Sequence, residues 1–165
     1  MKADIDILTA RRIVKFGKEY KPAVLPDDLK RGRLGWCFDD SIIQLTDEKL
    51  RAKYRYVEGI ARAFPHEPLK LHAWLTDGVH AFDPTWMGIG EAEAAGYSVG
   101  YYCGIEMDAI AVMHFMHVTE YQSVIANGYR NKKLARECLP KGFRITREAH
   151  KHSANPTHVL IGEQE

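Results

Sequence analysis

A strong turn signal at Asp77-Gly78 constrains the fold of this chain more than any other feature of its sequence. The residues on both sides of it, within 71–86, are typical of β-strands, and an Asp-Gly pair between two such runs predicts a two-residue hairpin turn. If these two residues form the turn, the register places His72 opposite Asp83. Directly opposed residues point to the same face, with Cβ atoms about 4.5–5.5 Å apart. The turn therefore predicts contact between an imidazole and a carboxylate.

The two faces of this hairpin are predicted to differ in character. Trp74 and Ala81 share the face of His72. The other face is mostly apolar and suits a protein core, and it carries Leu71, Ala73, Leu75, His80 and Phe82. Pro84 cannot continue a central ladder because it lacks a backbone N–H, so it ends the second strand.

An imidazole that is held by a carboxylate can serve as a general base. In the predicted pair, Asp83 would fix the tautomer of His72 and stabilise the imidazolium, which leaves the second ring nitrogen for a nucleophile. The alternative is a half-buried His–Asp pair that only connects two strands. The hairpin by itself does not decide between these two roles.

Cys37 is the candidate nucleophile. The spacing of apolar residues predicts a helix from Cys37 to about Lys53, with the thiol at its N-terminus. The unpaired N–H groups and the dipole at that end favour a thiolate, and the Cys37 backbone N–H can contribute to an oxyanion hole. A second oxyanion donor is not identified. Asp39 and Asp40 would oppose an anion on the sulfur, and a small buried hydrophobic residue is the alternative role of Cys37.

Composition limits the classes of function. A chain of 165 residues with 45% hydrophobic and 27% charged residues is expected to form one soluble domain, residues 1–165. The net charge of +1 gives no general attraction to nucleic acid or to a membrane surface. No apolar run approaches the roughly 18 residues of a transmembrane helix, and no signal peptide is evident, so a cytoplasmic protein is predicted. The widely spaced Cys37, Cys103 and Cys138 indicate reduced thiols, and no cofactor is predicted.

Further elements are predicted from periodicity and turn residues. They are an amphipathic helix at 4–20, strands at 54–62, 97–103 and 157–162, a helix at 108–126 within a C-terminal helical region at 108–150, and a basic loop before Cys37. His114, His117 and Glu120 lie on one side of the helix at 108–126. Helix-borne His and Glu are usually solvated, so no metal site is predicted.

Four short motifs then resemble a known family. They are Gly35-Trp36-Cys37 at a helix start, Tyr56-Val57-Glu58-Gly59 on the next strand, His72-Ala73-Trp74, and Asp83-Pro84-Thr85-Trp86. In this order they resemble the motif series of the transglutaminase-like branch of the papain-like cysteine-protease fold, which includes small uncharacterised bacterial and phage proteins. The resemblance covers roughly residues 31–104. It implies an α+β fold, in which a Cys-bearing helix packs on an antiparallel sheet with additional helices, and a triad of Cys37, His72 and Asp83.

The resemblance implies a thiol hydrolase or acyltransferase that acts on an amide bond through a thioester. Protein cross-linkers, deamidases, peptidases and amidases belong to this branch, as do inactive members, and the expected partner is a protein or peptide substrate. The loop before Cys37 departs from the papain-type pattern because it contains no Gln. The alternative function is a protein-binding or inhibitory module, which a phage could encode, that retains the fold without the chemistry and uses a surface to block a host protein. A cell-wall cysteine endopeptidase ranks below both, since its usual third group is another His and this chain offers Asp83.

Three tryptophans accompany the triad positions. Trp36 precedes Cys37, Trp74 follows His72 by two residues, and Trp86 follows Asp83 by three. They are predicted to line a cleft and to exclude water from the thiolate. The alternative is that these large aromatic side chains fill the core.

Overall fold

A computed structural model describes residues 5–147 of the chain. Within this range the helices are α1 (Ile7–Phe16), α2 (Cys37–Ile42), α3 (Glu48–Lys53), α4 (Ile89–Ala94), α5 (Ala109–Thr119), α6 (Val124–Asn127) and α7 (Lys132–Cys138), with 3-10 turns at Ile43–Thr46 and Gly128–Arg130. The strands are β1 (Lys18–Pro22), β2 (Arg55–Arg62), β3 (Lys70–Thr76), β4 (His80–Ala81) and β5 (Tyr101–Met107). The predicted strand at 157–162 lies outside the described residues, as does the end of the predicted region 108–150.

The fold is α+β, with one curled sheet in the strand order β3-β2-β5-β1-β4. Three of its strand pairs are antiparallel, but β1 and β4 run parallel, so the sheet is mixed and the expectation of an antiparallel sheet was wrong. The backbone of β4 bonds to β1, while Phe82, just after β4, bridges back to Leu75 of β3. The short segment 80–82 thus contacts both β1 and β3 and connects the two sides of the curled sheet.

The register at the end of the β3–β4 hairpin differs from the predicted one by two residues. Leu75 pairs with Phe82, whereas a two-residue turn at Asp77-Gly78 would pair Leu75 with His80. The turn is wider because the Asp77 carboxylate accepts hydrogen bonds from the backbone N–H groups of the two residues after Gly78, at 2.9 and 2.8 Å. The pairing of β4 with β1 holds it in this position.

A shift by an even number of residues leaves every side chain on its predicted face, because side chains alternate with a period of two. Leu75 and Phe82 accordingly pack in the large core beneath the helices. Trp74 and Ala81 pack in a smaller core on the opposite face, together with Tyr20, Val57, Ala61, Ile89 and Tyr102.

A pair of glycines lies at the centre of the sheet, and one of them, Gly104, makes room for Trp74. Gly59 of β2 pairs with Gly104 of β5, and a Cβ on Gly104 would lie 2.8 Å from the Trp74 ring. Gly59 is also the partner of His72 in the β2–β3 ladder. The close approach of these backbones therefore sets the positions of Trp74 and of the candidate base.

The predicted helix at 4–20 is shorter than expected. It ends at Phe16, where the Gly17 N–H donates to the Ile13 carbonyl at 2.7 Å, and a strand follows. A Cβ on Gly17 would lie 2.3 Å from the Gly104 carbonyl oxygen, so a glycine is required where α1 meets the sheet. Residues 18–20, predicted as helix, therefore belong to β1.

Three other predicted elements also have different boundaries. The helix predicted from 37 to 53 is interrupted, because Asp47 caps a separate helix α3 by accepting from the Lys49 N–H at 2.8 Å. The helix predicted at 108–126 ends at Thr119, since Glu120 has a φ of 61°. The strand predicted at 97–103 begins at Tyr101, whereas the predicted strand at 54–62 agrees with β2. None of the helices described here has the length and apolar character needed to cross a bilayer.

Candidate active site

His72 and Asp83 form a buried pair. The His72 Nε2–H donates to the Asp83 Oδ2 at 2.7 Å, and the two side chains are only 4% and 5% exposed. Extending the Leu75–Phe82 pairing by one step would place Trp74, not His72, across from Asp83. His72 therefore reaches Asp83 along the diagonal of the same face, and the predicted contact exists in a different register.

Asp83 is held by a set of donors that the sequence did not reveal. Its Oδ1 accepts from the Thr85 N–H (2.9 Å), the Thr85 hydroxyl (3.0 Å) and the Trp86 N–H (3.0 Å), and its Oδ2 accepts from the Tyr102 hydroxyl (2.8 Å). Burial raises the pKa of Asp83, but the charge of His72 and these hydrogen bonds outweigh it and hold the pKa below the ordinary value. Asp83 is thus a fixed carboxylate that orients the imidazole.

The environment of His72 favours its charged form. Burial alone lowers the pKa of His72, but the nearby Asp83 carboxylate, then Cys37, and hydrogen bonds to both raise it to about 10. Since Nε2 is occupied by Asp83, Nδ1 is the ring nitrogen left for the thiol. His72 is therefore placed to carry a proton between Cys37 and a leaving group.

Cys37 begins α2 and lies beside His72, as the sequence predicted. The helix packs on β3, where the Ser41 hydroxyl donates to the Ala73 carbonyl at 3.4 Å. Phe38 and Ile42 enter the large core from the same helix. The three residues of the predicted triad thus come together, brought by α2, by β3 and by the segment after β4.

The acidic residues of α2 place less negative charge near Cys37 than their sequence suggests. Asp40 accepts from the Arg33 guanidinium at 2.8 Å and from the Arg33 backbone N–H at 2.5 Å. The same guanidinium lies over the Trp36 ring, 4.1 Å from its centroid. Burial raises the pKa of Asp39, which disfavours its charged form. Asp39 and Asp40 therefore disfavour a thiolate at Cys37 less than the sequence predicts.

The three tryptophans have different positions. Trp86 stacks on His72, with ring centroids 3.8 Å apart and planes at 17°. Trp36 is buried beneath Arg33. Trp74 is fully buried in the small core, with its ring centroid 5.1 Å from that of Tyr102. Trp74 is thus a core residue and does not line a cleft, contrary to the prediction.

Two chain segments cover the triad. The segment 31–36 meets the segment 83–88 through a hydrogen bond from the Gly32 N–H to the Pro84 carbonyl at 2.7 Å. Arg31 also forms an ion pair of 3.2 Å with Glu91, at the start of α4. In this arrangement Cys37 is 7% exposed and His72 is 3% exposed. The triad is therefore nearly closed to solvent.

Replacing Tyr102 with phenylalanine is expected to lower the free energy of unfolding by about 1–2 kcal/mol, because the buried Asp83 carboxylate loses one donor. Urea denaturation measures the change. Tyr97→Phe is the matched control, since that side chain is 67% exposed, and it should change stability by less than about 0.5 kcal/mol. Equal stability of the two variants would show that the Tyr102 hydroxyl does not stabilise Asp83.

Comparisons with known proteins add no further assignment. The sequence matches no family model, and no curated protein or solved structure matches it either. Within residues 5–147, no group of three or more His, Cys, Asp or Glu side chains is arranged to hold a metal ion, and His114 and His117 are exposed on α5.

Proposed function

We propose that this protein is a cysteine-dependent enzyme that transfers an acyl group from an amide to water or to an amine. The observation that carries the proposal is the buried His72 imidazole, which lies between the Cys37 thiol and the Asp83 carboxylate. A nucleophile, a base and a group that orients the base are the three parts that such acyl transfer requires.

In the proposed reaction, His72 accepts the proton of the Cys37 thiol, and the thiolate attacks the carbonyl carbon of the amide. The resulting oxyanion is stabilised by the Cys37 backbone N–H. The imidazolium then donates its proton to the nitrogen of the leaving amine, the C–N bond breaks, and a thioester forms on Cys37. His72 next removes a proton from water or from an acceptor amine, which attacks the thioester. The C–S bond breaks, the acyl group leaves as an acid or a new amide, and the imidazolium returns its proton to the Cys37 sulfur.

The surroundings of the pair support this chemistry. Trp86 covers one face of His72, and the site is nearly closed to water. Electrostatic attraction between a thiolate and an imidazolium is stronger in such an environment than in bulk water. The donors around Asp83 keep it ionised, so it stabilises the imidazolium at both steps of the reaction.

The transglutaminase-like, papain-like arrangement belongs to the same proposal. A helix that begins with the cysteine and packs on a strand that carries the histidine agrees with the resemblance of the four motifs. Within that group, the substrate we propose is an amide in a protein side chain or peptide.

A protein-binding or inhibitory module is the second candidate, and the burial of the site favours it. With Cys37 only 7% exposed, the fold leaves the candidate nucleophile little contact with solvent. A partner whose binding survives in a variant lacking Cys37, His72 and Asp83 would support this second function over the first.

The pH dependence of Cys37 alkylation tests the proposed enzyme. Iodoacetamide is applied between about pH 4 and pH 10 to the native protein and to His72→Ala, and the modified cysteine is located by mass spectrometry. We expect Cys37 to react well below pH 8, with this low-pH reaction lost in His72→Ala, because the imidazolium stabilises the thiolate.

Cys103 and Cys138 are internal references for the same experiment. Burial raises the pKa of both thiols, that of Cys138 to about 12, so neither should react at low pH. If Cys37 reacts only as an ordinary thiol near pH 8.5, the ion pair is absent and the enzyme proposal fails. If the pair exists, Cys37→Ala should abolish amide turnover while the fold stays intact.

A further inference from the structure

Positive charge is concentrated in one part of this chain. Residues 130–147 hold seven of the 23 Lys and Arg residues and one of the 22 Asp and Glu residues, a net charge of +6. The rest of the chain is left with a net charge of −5, so the overall value of +1 does not reveal this asymmetry. A local excess of one sign attracts partners of the opposite sign. We call the seven cations the basic face, and they are Arg130, Lys132, Lys133, Arg136, Lys141, Arg144 and Arg147.

The basic face is open to solvent. All seven of its residues are exposed, and three of them lie on the outer side of α7, whose inner side packs in the large core through Ala135 and Cys138. Within residues 5–147, none of the seven forms an ion pair, whereas cations elsewhere, such as Arg33 and Lys53, pair with carboxylates. The fold therefore leaves these charges available to a partner.

Two of the cations are held by aromatic rings. The guanidinium carbon of Arg130 lies 3.6 Å from the ring centroid of Tyr121 and 5.1 Å from that of Tyr129. The guanidinium carbon of Arg147 lies 5.8 Å from the Tyr129 centroid, so this ring brings the two ends of the basic face together. A guanidinium that is already ordered loses less conformational entropy when it binds a carboxylate. Part of the basic face is thus preorganised for an anionic partner.

We propose that the basic face is a docking surface for an acidic segment of a protein, rich in Asp and Glu. Charge complementarity of this kind accelerates the encounter and fixes the orientation of a partner. The choice of a protein rests on the proposed function, because the substrate proposed there is a protein or peptide. The helix α5 contacts both α7 and α2, and all three pack into the large core. The basic face therefore belongs to the same helical layer as Cys37.

The same surface is less suited to nucleic acid or to a membrane. Proteins that bind single-stranded nucleic acid combine positive charge with aromatic rings on which bases stack. The one aromatic residue within 130–147 is Phe143, which is buried, and Tyr121 and Tyr129 already hold guanidiniums. Among the described residues, no exposed large apolar side chain lies within 130–147, so the basic face has no anchor for a bilayer.

Binding of a short poly-glutamate peptide tests the proposal. The peptide carries a fluorescent label, and its anisotropy is followed with the full-length protein at low ionic strength. We expect saturable binding that weakens as salt is added, because exposed charges are screened. Replacing Lys132, Lys133 and Arg136 together with glutamine should lower the affinity at least about tenfold, since three charge pairs are lost. The melting temperature should not change, because all three side chains are exposed.

A matched variant separates the basic face from the total charge of the protein. Lys21, Lys49 and Lys70 are exposed cations outside the basic face, and replacing all three with glutamine removes the same charge. We expect this variant to lose less than about threefold in affinity. In the native protein, the peptide should shift the backbone amide NMR signals of 130–147 and leave those around these three lysines unchanged, which locates the surface without any substitution.

The inference is overturned if the peptide does not bind, if both triple variants lose affinity equally, or if a single DNA strand of equal charge binds more tightly than the peptide. The last outcome would assign the basic face to nucleic acid. Failure of the proposed function looks different. In that case Cys37 shows no low-pH alkylation, while peptide binding still decides whether the basic face docks an acidic segment.

Discussion

Replacing Asp83 with alanine is expected to lower the free energy of unfolding by about 3–5 kcal/mol, because it breaks a buried ion pair from one side. The variant leaves the His72 imidazole and the Tyr102 hydroxyl buried without their partner. It also removes the carboxylate that opposes the effect of burial on His72, so the pKa of His72 falls from about 10. Because the imidazolium stabilises the Cys37 thiolate, we expect this thiolate and the proposed amide turnover to be lost as well.

Urea denaturation and NMR titration of His72 measure the two effects. The chain provides its own control in His80→Ala, since His80 pairs with Asp77 at 2.9 Å in an exposed version of the same contact, with side chains 40% and 39% exposed, and the variant keeps the hydrogen bonds of Asp77 to the turn. Solvent screens that pair, so we expect a loss of no more than about 1 kcal/mol. A loss as small for Asp83→Ala would contradict the buried ion pair.

The stability difference between the native protein and Asp83→Ala should depend on pH. The pKa of His72 is raised from 6.5 to about 10, so its contribution is complete below pH 6.5 and is lost as the pH rises toward 10. The pKa of Asp83 is lowered from 3.8, so its contribution is complete above that pH and is lost as the pH falls through the lower value. The difference is therefore expected to be largest between about pH 4 and 6.5.

Replacing Glu58 with alanine is the second change with a large expected effect, a loss of about 4 kcal/mol in the free energy of unfolding. Glu58 is fully buried and accepts from the Tyr56 hydroxyl at 3.0 Å. Its removal leaves four buried donors without an acceptor, which are the hydroxyls of Tyr56 and Ser123 and the N–H groups of Val124 and Ile125. The loop between α5 and α6, residues 120–123, should then lose its fixed position.

Thermal and urea denaturation measure this loss, and hydrogen exchange at the Val124 and Ile125 N–H groups locates it. Glu106→Gln is the control, since Glu106 lies on the neighbouring strand, and this change removes its ion pairs with Lys18 and Arg55 near the surface while keeping an acceptor for the Tyr20 hydroxyl. We expect it to cost less than about 1 kcal/mol. Unchanged exchange at 124–125 in Glu58→Ala would show that the carboxylate does not hold the loop.

Local patterns in the sequence predicted the contact of His72 with Asp83 and the position of Cys37 at a helix start. The contact forms despite the wrong register of the predicted hairpin, because a difference of two residues keeps both side chains on the same face. Thr85 was missed although it lies two residues from Asp83, since its hydroxyl and N–H bind back to that carboxylate only once the turn after β4 has formed. That Asp-x-Thr spacing is a usable local signal.

Other parts of the site depend on contacts between distant residues. The hydroxyl of Tyr102 comes from β5, 19 residues after Asp83, and Ser123 lies 65 residues after Glu58. No local period or turn signal predicts such pairs. Of the five residues of β1, only Tyr20 is buried. The strand therefore shows no alternation of apolar and polar residues that would distinguish it from a continuing helix.

The cover over the triad determines what a thiol reagent measures in this protein. Since Cys37 is 7% exposed, we expect thiol reagents to reach it through a transient separation of 31–36 from 83–88, much as buried amide protons exchange with solvent. When closing is faster than alkylation, the observed rate is the open fraction multiplied by the intrinsic rate of the thiolate. The pH profile of Cys37 then reports the ion pair, whereas its absolute rate reports how often the segments separate.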